Sequence, residues 1–227
     1  MSFIPFLNAC LNSLNVTAED LIHQDIIRIE KILKAEIKME SSLNINYLNT
    51  FLDAVKNNKN EWLLLFSETY IVQILQNQKK RFFKSVDFKI DAPELKIFLE
   101  KYLKQDLIFL CENAFKNSKY HTLIDLIQYK TILPNEVIDF IERKSIQKLD
   151  YLILNLKKGY YVSGSKYETI FLEFTSLLDA PQIKQKKMLI IGLSLQEANK
   201  TISTPGFILF LKQFQKACIM QILHLIP

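Results

Sequence analysis

Glycine and proline are scarce in this chain, with 4 Gly and 6 Pro in 227 residues, and that scarcity constrains the fold more than any other feature. A sandwich or barrel of this length joins many short strands through turns that need such residues, so an all-β fold is excluded. No run of Val and Ile ends in the Gly-rich turn that opens a βαβ unit, which argues against a parallel α/β fold as well. The closest approach to a strand is the five-residue alternation Val86 to Ile90. What remains is an all-α chain, and with 49% hydrophobic and 23% charged residues it has the composition of an ordered globular protein.

Apolar periodicity supplies the helices. A short one is expected over 3 to 14. The next is expected after Thr17, read as an N-cap with Asp20 three residues on, placing Ile22, Ile26, Ile29, Leu33 and Ile37 on one stripe. Further helices are expected over 44 to 57 and 60 to 77. From Leu95 to Phe115 the apolar stripe is too wide for a surface helix, which predicts a central one. Then come 119 to 130, 134 to 144 with Pro134 in the first turn, and 145 to 158 with Ser145 as cap and Gly159 past the end. Helices from Tyr167 to Leu178, from Pro181 to about Asn199 and from Thr204 almost to the terminus complete about ten, an irregular multi-helix array or bundle. No period of roughly 30 to 45 residues recurs, so HEAT-like pairing of helices stays open only in degenerate form. The chain reads as one all-helical domain, 1 to 227, with its best candidate for a subdomain boundary in the more basic, less periodic segment 78 to 92.

Several chemistries are set aside. The four glycines form no phosphate cradle, and neither a nucleotide-binding turn nor a nucleophile elbow is present. Neither a metal site nor a cofactor is inferred: Glu19, Asp20 and His23 make one carboxylate-histidine group on a helix, but the second motif that a di-iron bundle needs is missing. Cys10, Cys111 and Cys218 are widely spaced, odd in number and set among apolar residues, as suits reduced core thiols in a cytoplasmic protein. The apolar start carries no Lys or Arg and is not read as a secretory signal. A membrane span is not expected either, because Lys212, Lys216 and several glutamines interrupt the apolar segment 207 to 226.

By elimination the leading expectation is a protein-binding helical module or assembly subunit, of the adaptor, chaperone-like or immunity type, with no catalysis inferred and another protein as partner. One alternative is a helical enzyme or small-ligand binder with a pocket near His121, where Asp125, Cys111 and Tyr129 stand close in sequence and a Cys-His pair is conceivable. Another is nucleic-acid binding through Lys79, Lys80, Arg81 and Lys84, where Phe82 and Phe83 interleave with the cations. A second basic group, Lys184, Lys186 and Lys187, precedes an apolar helix. Only three of the 29 basic residues are Arg, the side chain that forks onto phosphate, and 24 acidic residues leave a net charge of +5 spread along the chain. The C-terminal helix carries an apolar arc wide enough to suit either the core or a homodimer contact.

Overall fold

A computed structural model of the chain describes residues 3–39, 43–76, 93–158 and 166–200, with side chains for all of these but 166, 167 and 195–200. Among them there is no strand, and the protein is an all-α multi-helix array as its sequence predicts. The elements are α1 (Ile4–Leu14), α2 (Ile26–Lys38), α3 (Leu48–Asn57), α4 (Lys59–Glu68), α5 (Ile71–Leu75), α6 (Pro93–Phe98), α7 (Lys104–Lys116), α8 (Tyr120–Ile127), α9 (Asn135–Lys157), α10 (Lys166–Thr175) and α11 (Pro181–Lys200). The segment 78 to 92, the loop 160 to 165 and the helix expected from Thr204 onward lie outside the described residues. The chain gathers into two compact units, one of residues 1–113 and 125–138, the other of 114–124 and 139–227.

In the first unit consecutive helices pack on one another, α1 on α2, α2 on α3, α3 on α4, and α4 on both α5 and α6. Their common core is aromatic. Phe3 lies 4.9 Å from Phe51 and 5.3 Å from Trp62 between ring centroids, Phe6 stacks on Phe51 at 5.5 Å, and Trp62 meets Phe66 at 5.0 Å. The polar edge of Trp62 is satisfied by donating from Nε1 to the carbonyl of Ala18 at 3.0 Å. No side chain of its own caps the start of α1. Instead Asp106, buried on α7, accepts the backbone N–H of Phe3 at 2.5 Å, so a carboxylate meets the positive end of that helix from 103 residues away.

Three local differences from the sequence reading in the first unit have plain causes. Thr17 starts a 3-10 turn, Asp20–His23, rather than a helix: its Oγ1 accepts the N–H of Asp20 at 3.2 Å. Gln24 is then extended (φ −74°, ψ 152°), and Asp25 caps α2 by accepting the N–H of Ile27 at 3.0 Å. The helix expected over 60 to 77 breaks at Thr69, whose backbone is extended (φ −136°, ψ 161°). Its Oγ1 donates to the carbonyl of Leu65 at 2.5 Å and accepts the N–H of Ile71 at 3.3 Å, closing α4 and opening α5 with one hydroxyl.

The third difference lies between α6 and α7, which run on through a π turn, Leu99–Leu103. Buried residues there come in pairs four apart, Phe98 and Leu99, Tyr102 and Leu103, Asp106 and Leu107. A regular helix repeats every 3.6 residues and smears such pairs into a broad arc, which is why the stripe looks too wide. The wider turn, bonded i to i+5, gathers them onto one side. The opposite side is solvent-exposed along Ile97, Lys101, Gln105, Phe109 and Glu112, so this rod has an outer face and is not wholly interior as the sequence predicts.

The second unit has its own ring cluster. Tyr120 meets Phe171 at 4.9 Å, and Phe115 lies 6.2 Å from both Tyr120 and Phe174. Here α9 is one continuous helix of 23 residues where two are expected. Ser145 is interior to it and fully buried, and its hydroxyl donates to the carbonyl of Ile141 at 2.8 Å, so the side chain that looks like a cap is spent within its own helix. Helix α11 carries Lys186, which pairs with Asp150 of α9, and the largely buried Lys187, which donates to Ser176.

Candidate functional site

The residues singled out for acid-base or nucleophilic work occupy unlike surroundings. Cys111 is fully buried on α7, and desolvation pushes its thiol up to about 12, which leaves it undissociated at neutral pH. His121 is exposed on α8, and Asp125, one turn further on, is half-buried. Tyr129 is buried, and its hydroxyl accepts the backbone N–H of Tyr70 at 3.1 Å. Cys10 on α1 is likewise a fully buried free thiol, pushed up to about 12 first by desolvation and then by Glu36. Glu19, Asp20 and His23 are all exposed, and Asp20 takes the hydroxyl of Thr17 at 2.6 Å. Among the described residues no group of three or more His, Cys, Asp or Glu is arranged to hold a metal ion. Lys79, Lys80, Arg81, Lys84 and Cys218 lie outside the described residues.

A perturbed carboxylate stands where the sequence does not announce one. Asp53, near the end of α3, faces the π turn. Its Oδ2 accepts from the Tyr102 hydroxyl and from Lys101 Nζ at 3.0 Å, and its Oδ1 accepts from Asn57 Nδ2 at 2.7 Å. Asn58 adds a donor to the Tyr102 hydroxyl at 3.0 Å and another to the Asp53 carbonyl at 3.2 Å. These bonds, Tyr102 first, then Asn57 and Lys101, hold the Asp53 carboxyl down to about 2. Tyr102 moves upward, by burial first and by its bond to Asp53 second. A carboxylate so held is a weak base with its oxygens occupied, and a phenol so raised stays protonated. The cluster therefore fastens the end of α3 to the π turn and is poorly suited to moving protons.

That fastening fixes the direction of the outer face of the α6–α7 rod. Ile97 is 68% exposed and Phe109 is 65% exposed, both large apolar side chains turned outward. Lys101 and Gln105 stand between them at successive four-residue steps, and Glu112 comes next. Beside this face Lys104 bridges Glu100 at 2.6 Å and Glu136 at 3.1 Å. Among the described residues no helix is long and apolar enough to cross a membrane. No protein-family model, curated protein or solved structure matches this chain.

Proposed function

We propose that the chain is a protein-binding helical module whose working part is a surface. The observation that supports this most is the outward display of Ile97 and Phe109 on a rod whose other side is closely packed. Aromatic side chains held out by rigid helices anchor protein interfaces, because burying them contributes much and ordering them costs little. The Asp53 and Tyr102 cluster serves the same reading by holding the rod in register. A cytoplasmic setting belongs to it too, supported by the free thiols of Cys10 and Cys111, of the sort that a reducing compartment maintains.

The test is recovery of the tagged full-length protein from its native host, beside a variant carrying Ile97→Ser and Phe109→Ser. Because both side chains are exposed, the variant keeps its melting temperature, with a change of stability within about 0.5 kcal/mol. The expected result is a protein that copurifies in stoichiometric amount with the parent and is lost with the variant. Equal recovery of every copurifying protein with both forms overturns the assignment of this face.

A further inference from the structure

Along α9 and the residue that follows it, in the second unit, Phe140, Lys144, Gln147, Tyr151, Leu154 and Lys158 succeed one another at steps of four, three, four, three and four residues. That is a spacing of 3.5, the one along which a second helix can lie continuously. The face is outward: Tyr151 is 56% and Leu154 49% exposed, Gln147 and Lys158 are exposed, and Phe140 and Lys144 are half-buried. On the opposite side Ile141, Ser145, Leu149, Leu152 and Leu156 are buried. Among the positions flanking the seam are Arg143, Lys148, Asn155 and Lys157, together with Asp150, whose charge is taken up by Lys186. At 100° per residue Glu142 lies away from the seam, Asp139 stands as far round as Lys157, and Glu136, one turn before Phe140, is taken up by Lys104; from Phe140 onward the seam itself carries no acid.

The rings of this face are already covered by cations. Arg143 and Lys144 each lie 5.6 Å from the centroid of Phe140, and Lys148 lies 5.1 Å from that of Tyr151. None of Arg143, Lys144, Lys148 and Lys158 has a carboxylate partner among the described residues.

We propose that this seam of α9 docks an acidic amphipathic helix of a second protein. Heptad spacing calls for a helix, the exposed Tyr151 and Leu154 call for apolar side chains opposite them, and the basic flanks call for Glu or Asp beside those side chains. A second copy of this chain is unsuited, because like charges would face one another along the seam. Single-stranded nucleic acid is the weaker fit, since the ring faces on which bases would stack carry cations, and one Arg among the cations offers little bidentate grip on phosphate. The inference rests on the reading of the chain as a protein-binding module, but on a different helix and in a different unit from Ile97 and Phe109.

The probe is a fluorescein-labelled synthetic helix with Leu and Phe at heptad a and d positions and Glu at e and g. Its controls are the same peptide with Gln for every Glu, and a labelled oligothymidine. Binding to the full chain is measured by anisotropy over a salt titration. The acidic peptide is expected to bind with an affinity that falls as salt rises, and the Gln peptide to bind at least about tenfold more weakly, as loss of desolvated charge pairing requires. Lys144→Glu with Lys148→Glu should abolish binding while the far-ultraviolet circular dichroism stays that of the parent. Leu154→Ser should weaken binding without changing its dependence on salt. The proposal is overturned if the acidic peptide binds no better than the Gln peptide, if the double reversal leaves binding unchanged, or if oligothymidine binds more tightly and competes. A peptide that fails while a host protein is still lost on changing Ile97 and Phe109 overturns the α9 assignment alone. Peptide binding with no protein recovered through Ile97 and Phe109 keeps α9 and removes the other face.

Discussion

Asp53 and Tyr102 stand 49 residues apart, and neither occurs in any motif. Asp53 is one of many polar residues on an amphipathic helix, and Tyr102 reads as core. Their pairing depends on where α3 ends and on how the π turn rotates the rod, which are long-range facts with no local trace. The charge has a definite consequence for stability. Held near 2 against an ordinary 3.8, the Asp53 carboxyl stabilises the folded state above about pH 3.8, and that contribution is lost as pH falls towards 2. Asp53→Asn should therefore unfold at lower urea concentration than the parent at pH 7. The gap between the two should narrow between pH 4 and pH 2, the window set by those two values. A gap that is constant across that window would show that the hydrogen bonds, and not the ionised state, carry the effect. Ser145 makes the complementary point, because serine both caps helices and bonds back to the carbonyl four residues earlier. Burial decided between these uses, and burial of one hydroxyl is not written in the residues beside it.

Among the elements, those with regular 3.6-residue spacing and a clear start were legible in full. Pro181 opens α11, and Phe171, Leu172 and Phe174 give α10 its buried side. The breaks were less legible, because Thr17, Gln24 and Thr69 do with side-chain hydroxyls and extended backbone what Gly and Pro do elsewhere. The π turn was half legible: pairs of apolar residues four apart are visible in the sequence, and an arc too broad for a regular helix is how they show. Deleting Glu100 tests that account. Removing one residue should convert the π turn to an α turn and leave α7 at nearly its parental rotation relative to α6, because a π turn is a helical turn that takes in one extra residue. Asp106, Leu107 and Cys111 then keep their burial, and the deletion should cost little more than Glu100→Ala, whose lost ion pair with Lys104 is at the surface. Inserting one alanine after Glu100 should instead turn α7 by about 100° and cost on the order of 3 kcal/mol or more in urea unfolding, since several apolar side chains leave the core. An insertion as stable as the deletion would mean that the rod tolerates either winding.

Across the whole molecule, the fold class was legible from scarcity of turn residues, whereas the division into two units was not. The units interleave in sequence, with residues 114–124 in one and 125–138 in the other, and no shift of composition marks those points. The core of the first unit shows why. Phe3, Phe6, Phe51, Trp62 and Phe66 come from the start of the chain, α1, α3 and α4, and each reads locally as one apolar residue on its own helix. Only their meeting makes a core, and the chain's single tryptophan lies in it. Trp62 emission is thus a probe of that unit alone, whereas the far-ultraviolet signal sums over helices in both. Phe51 is fully buried and touches the rings of both Phe3 and Phe6. Phe51→Ala should lower the stability read by Trp62 emission by about 3 to 5 kcal/mol, as removal of a buried ring leaves a cavity that its neighbours fill only in part. The emission of the folded variant should also shift to longer wavelength if water enters that cavity, and stay in place if the neighbouring rings close over it. An unaltered Trp62 transition would separate Phe51 from the tryptophan's core and contradict the packing of α1, α3 and α4 around these rings.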